Sequence, residues 1–385
     1  MKVAIITSGL LPVPAQKGGA VENLIDYYID YNERVGVHDF DVYSVLPPRP
    51  VTDGKHVRYK YVDTGSFWYR LKRNVYARCA RNGYYDAFLM YFLRTILPSV
   101  VAGNYDRILL ENRPGYVLEL SRKTNVPLYV HLHTDTMYKG GNALDGEVCK
   151  KVAKIITVSD YIRDRVLSIG EEVNAKTCIN GIDCSRFTLS TSVSRKQLGF
   201  SDDDFVVVYF GRIDEIKGVR ELMQAIHNLR DEPSVKLLII GSNTFSDVSA
   251  EDSYSQALKA IAEDMPGKVR FTGFVPYNEI PSYLKACDAS VLPSLCDDAC
   301  PLSVIEAMAC GLPLVSTYAG GIPELCGEAG ILLQRDDALV ANLTETIRRL
   351  YKDKEYCSQV GKRCLERSML FDKDLFAASF LEELG

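Results

Sequence analysis

The stretch Phe205-Val206-Val207-Val208-Tyr209-Phe210-Gly211-Arg212-Ile213-Asp214-Glu215-Ile216-Lys217-Gly218 decides the fold class. It opens with six apolar residues in a row, without the alternation of a half-exposed strand. Such a run reads as a strand covered on both faces, as in a parallel sheet. A charged corner follows, and then Leu222, Met223, Ile226 and Leu229 fall on one face of a helix. Strand, corner and amphipathic helix together make half of a βαβ unit.

The same pattern recurs along the chain. Apolar runs at 3–7, 40–45, 106–110, 128–131, 154–158 and 176–179 form one series, and 205–210, 236–240, 269–271, 289–292, 314–316 and 330–333 form a second. Two such series predict two doubly wound α/β domains. The polar stretch 190–204 serves as the linker, giving domains at 1–188 and 189–360. A final helical stretch, about 355–384, is too short for a domain, and its portion 361–385 is expected to pack back onto one.

The chain has 385 residues, 47% hydrophobic and 25% charged, which excludes a disordered or collagen-like protein. No stretch approaches the ~18 continuous apolar residues of a membrane span. The N-terminal apolar run is short and reads as a strand rather than a secretory signal. Eleven cysteines, an odd number without C-x-x-C, point to free thiols in a reducing cytoplasm. The net charge of −5 is unevenly spread: 25 Lys/Arg stand against 20 Asp/Glu in residues 1–187, and 20 against 30 thereafter.

In doubly wound sheets ligands bind where strands end and helices begin. Four corners draw attention. Ser8–Gly19 links the first strand to a helix starting at Ala20 and ends in Gly18-Gly19, which let backbone approach a phosphate or sugar, or simply make a turn. It is not G-x-G-x-x-G, so a dinucleotide is disfavoured. At the second corner Arg212 and Lys217 are two fixed cations suited to a diphosphate, or two solvated charges. At the third, Pro301 and Gly311 bracket a helix of about ten residues. Its opening N–H groups at Leu302 and Ser303 would face an anion, and its Glu306 could accept hydrogen bonds from two ribose hydroxyls, or merely sit in an ordinary capped helix. At the fourth, His131-Leu132-His133-Thr134-Asp135 has the look of a metal motif, but no partnering His/Cys/Glu cluster accompanies it, so packed or ligand-touching histidines are expected and no metal. Cys296 and Cys300 also lack further ligands. The D-x-D pairs Asp39/Asp41, Asp202/Asp204 and Asp372/Asp374 read as turns or caps.

The segment 66–94 is basic and aromatic. Arg70, Lys72, Arg73, Arg78, Arg81 and Arg94 face a single Asp86, interleaved with Phe67, Trp68, Tyr69, Tyr76, Tyr84, Tyr85, Phe88, Tyr91 and Phe92. This pattern suits an anionic membrane surface, or an insertion whose aromatics pack inward. Nucleic acid is disfavoured by the acidic whole.

Gly211-Arg212…Lys217-Gly218, Asn180-Gly181-Ile182-Asp183, Glu306-Ala-Met-Ala-Cys-Gly-Leu-Pro and Gly320-Gly321-Ile322-Pro323-Glu324 together resemble the retaining glycosyltransferases of family 4, of the bacterial surface-polysaccharide kind. The resemblance implies a GT-B fold: two Rossmann-like domains facing across a cleft, with the C-terminal helix crossing back to the first. It implies a nucleotide-sugar donor, UDP-sugar favoured, whose diphosphate Gly211, Arg212 and Lys217 hold and whose ribose Glu306 holds. It places His133 near the transferred sugar and Gly18-Gly19 over the phosphates. The family usually carries a glutamate eight positions before Glu306, where this chain has Asp298, and Pro301 replaces a common glycine. The implied reaction is metal- and cofactor-independent front-face transfer of a hexose to a glycan or lipid-linked glycan, in the cytoplasm or on the inner face of the membrane. A nucleotide-sugar epimerase or phosphorylase, or a non-catalytic nucleotide-sugar-binding subunit, stands as the alternative.

Overall fold

A computed structural model describes residues 1–79, 84–189, 191–242 and 253–385. Among the described residues thirteen strands form: β1 (Lys2–Ile6), β2 (Asp39–Val45), β3 (Val57–Val62), β4 (Arg107–Glu111), β5 (Leu128–Leu132), β6 (Lys154–Thr157), β7 (Ala175–Thr177), β8 (Phe205–Phe210), β9 (Val235–Ile240), β10 (Val269–Gly273), β11 (Ala289–Leu292), β12 (Leu314–Thr317) and β13 (Ile331–Leu333). They make a seven-stranded sheet in the order β3-β2-β1-β4-β5-β6-β7 and a six-stranded one in the order β10-β9-β8-β11-β12-β13. Every pairing is parallel. In each sheet the order reverses beside the first strand, between β1 and β4 and between β8 and β11, which is where such sheets hold ligands.

The chain divides into two compact units, Met1–Gly181 with Lys373–Gly385, and Ile182–Asp372. The division falls at Gly181/Ile182 rather than after 188, so the described part of 190–204 lies inside the second unit. Ser190 itself is outside the described residues. The helical stretch expected at 355–384 is two helices, Lys354–Ser368 and Lys373–Leu384, separated by a 3-10 turn at Met369–Phe371. Asp372 breaks the run by adopting an extended backbone (φ −66°, ψ 144°).

In the first unit the helix Ala20–Val35 lays Leu24, Ile25, Tyr28 and Ile29 on the sheet. Phe376, Ala377, Phe380, Leu381 and Leu384 of the last helix join the same core, and Tyr28 stacks on Phe380 with ring centroids 4.5 Å apart. Arg34 pairs with Asp374 at the rim. Burial of that apolar face, at ~25 cal/mol per Å², is what attaches the last helix. In the second unit the helix Val219–Asn228 buries Val219, Leu222, Met223, Ala225 and Ile226.

Strand β3 was not among the expected strands. Ten of the cysteines, all but Cys79, whose side chain lies outside the described residues, are free thiols. Asp41 is no turn residue: it is buried in β2 and takes an ion pair from Lys60 at 3.0 Å and a hydrogen bond from the Tyr105 hydroxyl at 2.6 Å. Asp204 does make a turn, accepting from the Ser201 N–H at 2.7 Å.

Candidate functional site

The two units each carry a polar cluster at their strand tips. In the second unit, β8 ends at Phe210 and the chain turns through Gly211 (φ 140°) into the corner. A Cβ on Gly241, which follows β9, would lie 1.9 Å from the Gly211 carbonyl oxygen, and one on Gly218 would lie 2.0 Å from that of Pro293. Backbone therefore packs directly on backbone around this corner, and only glycine fits both positions.

Lys217 closes the 3-10 turn Glu215–Lys217, and Gly218 (φ 70°) opens the next helix. The Lys217 ammonium lies 2.8 Å from both carboxylate oxygens of Asp298. Ser294 donates to Asp298 Oδ2 at 2.9 Å. Asp298 is therefore a partner of Lys217, a role its sequence position did not suggest. Arg212 is about half exposed, and among the described residues its carboxylate partner is Asp214, at 3.7 Å. The Tyr209 hydroxyl donates to the Arg212 carbonyl at 2.6 Å and steadies the corner.

The helix Leu302–Ala309 starts one residue later than expected, with Pro301 outside it as the N-cap. Its first N–H groups, at Leu302 and Ser303, precede any intrahelical acceptor. Glu306 is buried and accepts from the Tyr277 hydroxyl at 2.9 Å. Burial pushes its carboxyl up to about 7, against the opposing pull of Tyr277 and the Arg186 charge. The folded-state value stands above the unfolded one, so the native protein holds the extra proton. Stability therefore falls as pH rises from 4.5 through about 7, by ~3 kcal/mol when complete. Glu306→Gln keeps the acceptor for Tyr277 and should flatten this slope in urea midpoints measured across that range. An unchanged slope would mean that Glu306 ionises freely.

In the first unit, β4 and β5 pair with Glu111 beside His131. This register supplies the partner that sequence reading denied to the two histidines. Glu111 is fully buried, and its Oε2 lies 3.1 Å from His131 Nδ1 and 2.8 Å from His133 Nε2, while the Tyr28 hydroxyl donates to Oε1 at 2.8 Å. Burial alone would raise Glu111, but the His131 charge and the hydrogen bonds from both imidazoles hold it down at about 2. Burial and neighbouring His131 push His133 down to about 4, against the pull of Glu111. Glu111 is thus the anion of the cluster, and His133 is neutral near pH 7. The three side chains offer ligand atoms within 4.8 Å of one another, a set of the kind that holds a divalent ion. In the arrangement described Glu111 engages one nitrogen of each imidazole, while His131 Nε2 and His133 Nδ1 are buried with no hydrogen-bond partner among the described residues. Asp135, the last residue of the H-x-H-x-D motif, lies elsewhere and takes Arg165 and Tyr161 as partners.

Gly18 (φ 75°) and Gly19 (φ 107°) both have left-handed backbones. A Cβ on Gly19 would meet Glu22 Oε2 at 2.2 Å. Glu22 is buried, takes a hydrogen bond from Ser8 at 3.3 Å and has its pKa raised by that burial. The glycine loop thus lies against the buried carboxylate of Glu22, whose own charge interacts with His133.

The segment 66–94 divides between its two expected readings. Tyr69 and Tyr76 each pack on Tyr91, Tyr84 bonds Asp145, and Phe92 is buried. Phe67, Trp68 and Phe88 stand exposed, at 71%, 68% and 49%, so the membrane reading keeps its candidate residues. Arg81 lies outside the described residues. No helix among the described residues is long and apolar enough to cross a membrane.

Residues 204–353 match the family described as glycosyl transferases group 1. Over nearly its whole length the chain is similar to spore coat protein SA of Bacillus subtilis (strain 168), with 26% identity over 382 residues covering 94% of this chain and 93% of that one. Sucrose-phosphate synthase from Thermosynechococcus elongatus superposes with a TM-score of 0.77 at 19% identity, covering 100% and 98% of the two chains. Anabaena HepE in complex with UDP-glucose superposes with a TM-score of 0.72 at 20% identity, covering 100% and 99%. The fold is GT-B, and 204–353, with the Arg212/Lys217 corner inside it, is related in sequence to glycosyltransferases.

Proposed function

We propose that this chain is a retaining glycosyltransferase that moves a hexose from a nucleotide-sugar to a glycan or lipid-linked glycan acceptor in surface-polysaccharide assembly. The observation that carries the reading is the corner after β8. It combines a half-exposed Arg212 guanidinium, a Lys217 ammonium held in place by Asp298, and backbone kept bare by glycines, within a segment that matches group 1 glycosyltransferases. The UDP-glucose bound to the Anabaena neighbour supports a uridine nucleotide as the donor.

In this reading Arg212 and Lys217 bind the donor diphosphate and neutralise the charge it gains as the anomeric C–O bond breaks. The acceptor oxygen bonds to that carbon on the same face, and its proton passes to a departing phosphate oxygen. Leu302 and Ser303 N–H groups bind an oxygen of the diphosphate or sugar, Glu306 takes the ribose, and the neutral His133 faces the sugar. The protein works in the cytoplasm, against the inner face of the membrane where the exposed Phe67 and Trp68 engage it.

A donor panel tests the reading. Thermal shift with UDP-, GDP-, ADP- and dTDP-sugars should single out one nucleotide, because a ligand at 100 times its Kd adds about 2.7 kcal/mol. The anomeric configuration of the product, read by NMR, should match that of the donor. No stabilisation by any nucleotide-sugar would overturn it. We also expect dialysis against EDTA to leave turnover unchanged. Lost activity restored by zinc would instead make Glu111, His131 and His133 a metal centre.

A further inference from the structure

Tyr277 stands in the second unit, in the loop between β10 and the helix Ile280–Leu284. The loop turns at Pro276, whose carbonyl accepts from the Glu279 N–H at 2.8 Å. The Tyr277 ring packs against the helix Cys184–Thr188 of the same unit. There the Arg186 guanidinium lies over it, 4.8 Å from the ring centroid, and the fully buried Phe187 meets it at a steep angle with centroids 6.4 Å apart. Braced in this way, the Tyr277 hydroxyl donates to Glu306 Oε1 at 2.9 Å.

Burial favours the neutral form of Glu306, whereas the Tyr277 hydroxyl and the Arg186 charge both favour the ionised one. The difference decides what the carboxyl can recognise. An ionised carboxylate only accepts hydrogen bonds, while a protonated one turns one of its oxygens into a donor. Two neighbouring hydroxyls of a ribose are best met by two accepting oxygens in a fixed plane. Tyr277 uses one lone pair of Oε1 and fixes that plane, leaving the remaining lone pairs of the carboxylate to a ligand.

We infer that Tyr277 is a positioning residue for Glu306, and that together they select ribonucleotide donors against deoxyribonucleotide ones. The inference rests on the transferase reading, in which Glu306 takes the ribose, and it narrows the donor class left open there. UDP-, GDP- and ADP-sugars fit, and dTDP-sugars do not. A ligand without the 2′-hydroxyl leaves a buried carboxylate short of a donor, which is how a polar pocket rejects an analogue.

Calorimetric titration of the full chain with UDP-, GDP- and ADP-glucose, each beside its 2′-deoxy counterpart, and with dTDP-glucose reads the preference directly. The wild type should hold its best ribonucleotide at least about tenfold tighter than the deoxy form. Tyr277→Phe keeps a ring beneath Arg186 and against Phe187, so it should melt as the wild type does. It should reduce the preference at least about threefold, by weakening the ribonucleotide. A side chain that only packed would weaken both ligands alike and leave the ratio unchanged. In a Glu306→Ala background the ratio should approach one, and Tyr277→Phe should change it no further. An unchanged ratio in Tyr277→Phe alone, or a further change in the Glu306→Ala background, overturns the positioning role. Equal binding of ribo and deoxy forms by the wild type, or tightest binding of dTDP-glucose, overturns the selection and leaves a transferase. Failure of every nucleotide-sugar to bind overturns the transferase reading, and the inference with it.

Discussion

Arg212→Ala/Lys217→Ala should lower kcat/KM for nucleotide-sugar by at least about 1,000-fold, the scale of losing fixed charge stabilisation worth ~4 kcal/mol. The two cations sit on one corner but have unlike surroundings. Among the described residues Arg212 has Asp214 as its carboxylate partner, at 3.7 Å, so its removal takes away a charge and leaves little behind there. Lys217 is clasped by both oxygens of Asp298, and its removal also bares a carboxylate where the diphosphate would lie. Lys217→Ala alone should therefore cost more than the lost attraction, and Lys217→Ala/Asp298→Asn should recover part of the deficit. Steady-state kinetics on the three variants separates attraction from repulsion. Full activity in the double alanine variant would remove the corner from the mechanism.

Glu111→Ala should be the most destabilising single change in the first unit. It strips a fully buried carboxylate from Tyr28, His131 and His133 together. Breaking a buried charged group away from its partners costs about 3–5 kcal/mol, which in a unit of this size lowers Tm by roughly 10 °C. Glu111→Gln should cost less, since an amide still accepts from one neighbour and donates to another. The pH dependence separates charge from packing. Glu111 is held down at about 2 against an ordinary 4.5, so its contribution is full above the unfolded value and lost as pH falls through that interval. His133, lowered from 6.5 to about 4, also erodes stability as pH falls, because the unfolded chain takes up the proton first. Urea midpoints from pH 7 down to 3 should drop more steeply for wild type than for Glu111→Gln. Equal slopes would show that the triad carries no charge.

The alternation of buried strands with amphipathic helices was legible because a parallel sheet leaves continuous apolar runs. Strand β3 lacks that mark. Its sequence, Val57-Arg58-Tyr59-Lys60-Tyr61-Val62, mixes charge with tyrosine, as suits an edge strand paired on one side only. Arg212, Lys217 and Glu306 were visible as residues because corners of a doubly wound sheet are where ligands gather. Their partners were not. Asp298 lies 81 residues from Lys217, and Tyr277 reaches Glu306 from a separate loop. Glu111 is the instructive omission, since it lies 20 and 22 residues from His131 and His133 and meets them only through strand pairing. It stood at the tip of the neighbouring strand, and the only available signal was a glutamate closing the otherwise apolar run Ile108-Leu109-Leu110.

The last helix gives the molecule an order of assembly. Arg34 and Asp374 are partners 340 residues apart in sequence, and Phe380 completes a core that Tyr28 begins. During synthesis the first unit must therefore wait, its Tyr28 face uncovered, while the whole second unit is made. A ribosome stalled anywhere in Ile182–Asp372 would display a sticky, unfinished domain beside a half-built one. Chaperone demand should consequently peak late in translation, and should fall when Lys373–Gly385 is supplied as a separate peptide.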